Sequence, residues 1–176
     1  MDTLPKFKLK EPLLMLVGSI FGIWWLVNTF NTGNPLWFLP IQPTYRPSRI
    51  LVHDYGTAVT IMPGTNEYEI LTQALDESLS GFKNTALTSL GLSDETLRRY
   101  NEEELVLEIF YPEEIHFNTP VRMSKINQLL IPIDATHSGK GYVFMGSSGA
   151  WRVGTMEMEN DESLLNAMRQ LGYLQK

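Results

Sequence analysis

The sequence has 176 residues, of which 43% are hydrophobic, a formal net charge of −6 and no cysteine. This length allows one domain with an additional anchoring segment, and the absence of cysteine excludes disulfides, thiolate metal sites and thiol nucleophiles. From residue 46 onward, 11 basic and 18 acidic residues give a balance of −7. This balance disfavours nucleic acid as a partner, because binding its phosphates requires Lys and Arg.

Residues 12–30 form one long apolar run without a charged side chain. A helix from Leu13 to Phe30 would be about 27 Å long, close to the ~30 Å thickness of a bilayer core. We therefore predict a transmembrane helix over residues 12–30, preceded by a short polar arm over residues 1–11. A cleaved signal peptide is the alternative, but no small-residue cleavage site follows the apolar run.

The predicted span carries features suited to packing against another membrane helix. Gly18 and Gly22 form a G-x-x-x-G pair, with Ser19 beside them and with Trp24 and Trp25 in the second half of the span. Small residues let two helix backbones approach closely in lipid, although glycine is also simply common in membrane spans. The span contains no histidine or cysteine, so we expect no haem or pigment held by these usual axial ligands, and we predict no cofactor.

Residues 31–49 are predicted to form an extended connector at the membrane surface. Proline recurs at positions 35, 40, 43 and 47 and disfavours regular helix. Leu36, Trp37 and Phe38 are apolar enough to dip into the bilayer interface or to lie against a neighbouring protein. We predict that these three residues bind a partner together with the small and aromatic residues of the span.

The charges around the span predict its orientation. Lys6, Lys8 and Lys10 precede the apolar run, and the positive-inside rule then places the amino terminus in the cytoplasm and the following domain outside it, with a bacterial cytoplasmic membrane favoured. Arg46 and Arg49 follow soon after the span and compete with this assignment. The acidic domain is expected to stand off an anionic lipid surface rather than lie on it.

Residues 50–176 are predicted to fold as one soluble domain that begins with two strands and then two helices. These elements are expected over residues 50–55, 57–62, 66–81 and 94–102. The two strands flank Gly56, as in a hairpin or a bulged strand. Asn66 and Glu69 have the spacing of a capping box before an amphipathic helix, and Ser93 is placed to cap a short acidic helix.

The second half of the domain is predicted to be mainly strand, followed by one helix. The strands are expected over residues 105–111, 128–133, 141–146 and 150–158. Pro132 indicates an edge strand or a strand end, and Ser147-Ser148-Gly149 predicts a three-residue hairpin loop. Asn160 or Asp161 is expected to cap the last helix, which ends at Gly172. This order indicates an α+β fold with a mainly antiparallel sheet and two or three helices on one face.

No motif in the sequence indicates a catalytic or metal centre. His53, His116 and His137 lie on separate predicted elements and are interpreted as scattered surface or turn residues. Gly139-Lys140-Gly141 precedes a strand rather than a helix and so differs from a phosphate loop. The acidic run at residues 102–104 lacks the spacing of a calcium loop, so a solvated helix face is the simpler interpretation. We therefore predict no metal site and no enzymatic activity.

Two functions fit this layout. The first is an accessory or structural subunit of a larger membrane protein complex, with other membrane subunits and the lipid bilayer as partners. The second is a membrane-anchored extracytoplasmic sensor or ligand-binding domain, since such regulators share the layout of one span and one outer domain. An anchored enzyme with an unrecognised site is a third alternative.

The closing strands carry a resemblance that bears on the predicted host complex. The segment from Gly141 to Met156, GYVFMGSSGAWRVGTM, resembles uncharacterised proteins of filamentous phototrophic bacteria. This resemblance implies a photosynthetic or respiratory complex as the host of an accessory subunit.

Overall fold

The computed structural model describes residues 10–32, 35–37, 45–80, 89–116, 125–158 and 160–175. The helices are α1 (Lys10–Thr32), α2 (Asn66–Ser80), α3 (Asp94–Glu102) and α4 (Glu162–Gln170). The strands are β1 (Arg49–Asp54), β2 (Thr57–Ile61), β3 (Leu105–Phe110), β4 (Gln128–Asp134), β5 (Tyr142–Ser147) and β6 (Ala150–Glu157). This order confirms the predicted α+β fold.

Helix α1 is long and apolar enough to cross a membrane. Its 23 residues extend about 34 Å, given a rise of ~1.5 Å per residue. The stretch Lys10–Asn31 has a mean hydropathy of 1.8, and no part of its most apolar window is buried within the chain. The helix begins slightly before the predicted span and ends slightly after it.

The six strands form one antiparallel sheet in the order β2-β1-β3-β4-β5-β6. Two hairpins close through two-residue turns in which both residues have positive φ, a geometry that matches the twist of the strands. These turn residues are Tyr55 (φ 45°) with Gly56 (φ 92°) and Ser148 (φ 54°) with Gly149 (φ 79°). The predicted first hairpin is confirmed, but the three-residue loop before β6 is wrong, because Ser147 pairs with Ala150 and belongs to β5.

Pro132 lies within β4, an interior strand between β3 and β5. The expectation of an edge strand is therefore wrong. The ladder between β4 and β5 runs only from Gln128 to Leu130 and ends before the proline. On that side the missing N–H of Pro132 interrupts no pair, which fits the alternative expectation of a strand end.

The caps of the helices agree only in part with the sequence pattern. The hydroxyl of Thr65 accepts a hydrogen bond from the N–H of Tyr68 at 3.2 Å, so Thr65 caps α2. The predicted capping box of Asn66 and Glu69 is wrong, because Asn66 is already the first helical residue. Ser93 caps α3 as predicted, with its hydroxyl accepting from the N–H three residues later at 3.1 Å.

The helices of the domain pack on both faces of the sheet, not on one face as predicted. α2 and α4 cover the first face, whose core includes Leu107 and Leu129. α3 covers the second face, where Tyr100 is 1% exposed and packs with Val106 and Phe144. α3 lies there because alternate strand residues supply a second apolar cluster, and Tyr100 is the buried residue of α3 that joins it.

The antiparallel order sorts the strand termini into two groups. The connector end of the sheet, where the chain arrives at β1, comprises Arg49, Ile61, Phe110, Gln128, Ser147 and Ala150. The far end comprises Asp54, Thr57, Leu105, Asp134, Tyr142 and Glu157. These two ends differ in the side chains they present, as described below.

Candidate functional site

Helix α1 presents a strip of small residues that no other described part of the chain covers. At about 100° per residue, Gly18, Gly22 and Trp25 lie on one side of the helix. A Cβ added at Gly18 or Gly22 would meet no atom within 4 Å. Packing inside the described chain therefore gives no reason for glycine at either position. We call Gly18 and Gly22 the glycine strip; Ser19 is also exposed and lies about 100° around the helix from Gly18.

The turn after α1 folds back onto the helix, and its residues contact the aromatic side chains of α1. The rings of Trp24 and Trp37 meet edge to face with centroids 4.9 Å apart, and Phe21 lies 5.7 Å from Trp24. The indole N–H of Trp25 donates to the carbonyl of Pro35 at 3.0 Å. We call Phe21, Trp24, Trp25 and Trp37 the aromatic corner.

The predicted partner-binding residues thus form two neighbouring surfaces. The glycine strip and the aromatic corner contain all of them except Ser19, Leu36 and Phe38. Leu36 is 49% exposed in the turn, and Phe38 lies outside the described residues. The contact between Trp37 and Trp24 was not predicted from the sequence. The one signal for it was the turn expected at Asn34-Pro35, which follows a helix that carries Trp24 and Trp25.

A chain of buried polar side chains crosses the second face of the sheet diagonally. His53 on β1 lies 3.1 Å from a carboxylate oxygen of Glu108 on β3, and the amide of Gln128 on β4 donates to the other oxygen at 2.6 Å. Gln128 in turn accepts the N–H of Gly149 at 2.9 Å. His53 is 8% exposed and Gln128 is 4% exposed. Each member has a partner, so the chain connects β1, β3, β4 and the β5–β6 turn.

The three histidines do not converge on one site. His53 is buried within β1, so its interpretation as a surface or turn residue is wrong. His116 is exposed, and His137 lies in the loop before β5, where its Nδ1 is 2.9 Å from the hydroxyl of Tyr100. Within the described residues no group of three or more histidine and acidic side chains could hold a metal ion.

Hydrogen bonds and ion pairs at the far end hold α3 against the loop between β4 and β5. The buried carboxylate of Glu104 accepts from the N–H of Thr136 at 2.7 Å and from its hydroxyl at 2.8 Å, and it pairs with Arg99. The neighbouring carboxylates of Glu102 and Glu103 pair with Arg98. Each carboxylate of the acidic run therefore pairs with an arginine of α3, which fits its interpretation as a helix face.

Tyrosine hydroxyls tie the same end of the sheet together. Tyr55 in the first turn donates to the carboxylate of Asp134 at the end of β4, and this hydrogen bond raises the pKa of Tyr55 to about 12. Tyr100 donates to the carbonyl of Thr136 at 2.7 Å. Burial raises the pKa of Tyr100, and the charge of Glu104 raises it further. Both phenols therefore stay protonated over a wide pH range.

A cleft of about 380 Å³ opens at the connector end of the second face. Three of the residues that line it are paired across neighbouring strands: Arg49, Phe110 and Gln128. The Arg49 guanidinium lies 4.0 Å from the centre of the Phe110 ring. Arg49 pairs with no carboxylate among the described residues. Spacing along the sequence does not predict this cleft, because its residues come together only through the register of the strands.

Charged groups are distributed unevenly between the two ends of the sheet. At or beside the far end lie the acidic Asp54, Glu102, Glu103, Glu104, Asp134 and Glu157 and the basic Arg98, Arg99 and Lys140. At or beside the connector end lie the basic Arg46, Arg49, Lys125 and Arg152 and the acidic Glu67, Glu69, Asp76, Glu113 and Glu114. The acidic groups named therefore exceed the basic ones by three at the far end and by one at the connector end.

Comparisons of this chain with protein-family models, curated proteins and solved structures found no match. The residues and their geometry alone must therefore support any functional assignment. They provide two candidate binding surfaces: the exposed side of α1 with its aromatic corner, and the cleft at the connector end of the sheet.

Proposed function

We propose that this chain is a single-pass, membrane-anchored accessory subunit of a larger membrane protein complex. It docks on a helix of another subunit through the glycine strip of α1 and through the aromatic corner. The observation that supports this proposal most directly is the glycine strip, because neither glycine is required by any contact inside the described chain.

The physical argument concerns what drives helix association in lipid. Lipid tails are as apolar as leucine side chains, so burial of apolar area adds little, and close backbone packing contributes instead. Gly18 and Gly22 offer a low surface one helical turn apart, against which a partner helix can pack. The large side chain of Trp25 lies next on the same side and limits the contact to the first two thirds of the helix.

The aromatic corner supplies a second, more rigid part of the same surface. Trp24 is 51% exposed and Leu36 is 49% exposed, so both present apolar area to a neighbour. The bond from Trp25 to the Pro35 carbonyl satisfies the indole donor without water, as is required near the hydrocarbon region. A partner therefore meets preformed rings rather than a mobile connector, and less conformational entropy is lost on binding.

The proposed placement follows the charges of the sequence. In this placement α1 spans a bacterial cytoplasmic membrane. The amino terminus lies in the cytoplasm, and the sheet domain lies on the outer side of the membrane. The proposed host is a photosynthetic or respiratory complex, on the basis of the resemblance of residues 141–156 described above.

Co-purification from membranes tests this proposal. The full chain is expected to resist extraction from membranes by alkaline carbonate and, after mild detergent, to co-purify with other membrane proteins identified by mass spectrometry. The double substitution Gly18→Leu and Gly22→Leu is expected to reduce the amount of partner that co-purifies about tenfold or more. The added side chains would hold the two helix backbones apart.

The matched control is Ile23→Phe, which adds bulk on a different side of α1 at a position that is 66% exposed. It is expected to leave co-purification unchanged. A chain that purifies alone, or only as a homo-oligomer, contradicts the accessory-subunit proposal. Equal losses in both variants would mean that the glycine strip is not the docking surface.

A specific observation favours a second candidate function, that of an anchored sensor or ligand-binding domain. The cleft at the connector end contains Arg49, a cation without an acidic partner among the described residues. Such a group in an otherwise acidic domain is suited to an anionic ligand. Ligand binding and subunit docking use different surfaces of this chain, so the two functions are compatible.

A further inference from the structure

We propose that the cleft at the connector end of the sheet binds a phosphate group, and that the headgroup of a membrane phospholipid supplies it. This inference names the ligand class of the second function above, and its lipid source rests on the proposed anchoring of α1.

The Arg49 guanidinium contacts an aromatic ring, and no carboxylate in the described part of the chain neutralises it. It lies over the Phe110 ring at 4.0 Å, which restricts its movement through cation–π attraction. Among the described residues, no hydrogen-bond acceptor engages the guanidinium N–H groups. Arginine presents these donors as a planar fork that matches two phosphate oxygens at once.

Other hydrogen-bond donors line the cleft beside Arg49. Asn127 and Ser148, whose side chains carry an amide and a hydroxyl, are both among the residues that line it. The backbone around Asn127 is fixed, because its carbonyl accepts from the N–H of Tyr111 at 2.8 Å and its N–H donates to Gly146 at 3.2 Å. The cleft therefore combines one fixed cation with neutral donors, which suits a singly or doubly charged oxyanion.

The floor of the cleft is also rigid. Gln128 donates to Glu108 at 2.6 Å and accepts from Gly149 at 2.9 Å, so both ends of its amide are fixed. A ligand would thus meet a site that needs little rearrangement, which lowers the entropy lost on binding.

The acidic residues near the cleft already have partners or lie outside it. Glu108 is bonded to His53 and Gln128. Glu114 accepts the backbone N–H of Lys125 at 3.0 Å, and neither Glu113 nor Glu114 lines the cleft. Most repulsion from the acidic domain originates at the far end, and screening weakens it over a distance of about 8–10 Å.

The path of the chain favours a lipid as the source of the phosphate. Arg49 is the first residue of the sheet, so the cleft is the part of the domain that follows α1 and its connector most directly. Anchoring by α1 would hold the cleft near a surface where phosphodiester headgroups are abundant. Under those conditions even a weak site is occupied, because the effective concentration of the ligand is high.

The test measures binding of two phosphate probes to the full chain in neutral detergent micelles. One probe is sn-glycerol 3-phosphate in solution, and the other is phosphatidylglycerol mixed into the micelles. Arg49→Gln is expected to weaken binding of both probes about tenfold or more, because a charge-assisted bidentate contact is lost. Arg49→Lys keeps the charge but loses the planar fork of donors. Its affinity for each probe is expected to lie between the affinities of the unaltered chain and of Arg49→Gln.

The matched control is Arg152→Gln, which removes the same charge from an exposed residue near the same end that does not line the cleft. It is expected to change affinity less than about twofold, since charges beyond the cleft are largely screened. Equal weakening in both variants would overturn the proposal in favour of diffuse attraction. Failure of the unaltered chain to bind either probe would also overturn it.

Two further outcomes distinguish the phosphate site itself from the proposed lipid source of the phosphate and from the proposed membrane anchoring. Binding of glycerol phosphate without binding of phosphatidylglycerol would overturn the lipid source and keep the phosphate site. A chain that carbonate extracts from membranes but that still binds glycerol phosphate would refute the anchoring alone. Circular dichroism of each variant checks that a loss of binding does not arise from unfolding.

Discussion

At the scale of single residues, Tyr55 and Asp134 link the first turn of the domain to the end of β4. The hydrogen bond to Asp134 is the main cause that raises the pKa of Tyr55 to about 12. The folded state thus favours the neutral phenol. Its contribution to stability is fully present below the ordinary tyrosine pKa of about 10 and is lost as the pH rises toward the folded value.

Substitution of the acceptor tests this link. Asp134→Asn is expected to lower the pKa of Tyr55 toward about 10, because both the charge and the strong acceptor are lost. The ultraviolet absorbance of the phenolate reports the titration, and a Tyr55→Phe variant identifies which step belongs to Tyr55. Asp54→Asn is the control: Asp54 is the weakest of the causes acting on Tyr55, so its removal should produce the smaller shift. An equal shift in both variants would contradict the assigned cause.

At the scale of secondary-structure elements, α3 depends on one buried carboxylate for its position. Glu104 is the second residue after the helix and is 6% exposed. It accepts two hydrogen bonds from Thr136 and pairs with Arg99. Together with Tyr100 in the second apolar cluster, these bonds fix α3 to the second face of the sheet.

Removal of that charge is expected to loosen α3 selectively. Glu104→Gln should lower the free energy of unfolding by roughly 1–3 kcal/mol, because a buried donor loses its charged acceptor. Glu103→Gln, at a residue whose side chain is 51% exposed, should change it by less than about 0.5 kcal/mol. Urea denaturation measures both values. Hydrogen exchange should rise in α3 before it rises in β3 and β4, and uniform exchange across the domain would refute the local role.

How far the sequence predicted these elements depended on whether the signal was local. The Ser93 cap and the apolar run of α1 each arise within a few neighbouring residues and were predicted, and a hairpin was one of the two alternatives predicted at Gly56. The interior position of β4 and the placement of α3 on the second face depend on pairing between distant strands. Pro132 suggested an edge, but the local end of the β4–β5 ladder accommodates it instead.

The candidate sites also differ in whether their signal in the sequence is local or depends on contacts between distant residues. Gly18 and Gly22 were predicted because a helix with ~3.6 residues per turn fixes their common side. Contact between Trp24 and Trp37 required the turn at Pro35 to be known. The cleft at Arg49 was not predictable from spacing, because Arg49, Phe110 and Gln128 meet only through the register of three strands.

At the scale of the whole molecule, the proposed anchor and the uneven charges predict how the domain stands on a membrane. The far end carries the larger excess of acidic groups, so anionic lipid repels it more strongly than the connector end. We therefore expect the connector end to face the bilayer. This refines the expectation that the acidic domain stands off the surface as a whole.

The absence of cysteine from the sequence makes this orientation measurable with single labels. Ser148→Cys places a fluorescent label in the turn at the connector end, and Lys140→Cys places one in the exposed loop at the far end. In bilayers that contain headgroup-labelled nitroxide lipids, quenching is expected to be stronger at position 148. Equal quenching at both positions, or stronger quenching at position 140, would contradict the proposed orientation.

The separation of charges described above also gives the domain an electric dipole along its strands, with the negative pole at the far end. A bilayer with negative surface potential would exert a torque on this dipole whenever the domain comes within about one Debye length, ~8–10 Å at physiological salt. That torque turns the far end outward without any specific contact, and added salt relaxes it. The orientation of the domain would then depend on the anionic lipid content of its membrane.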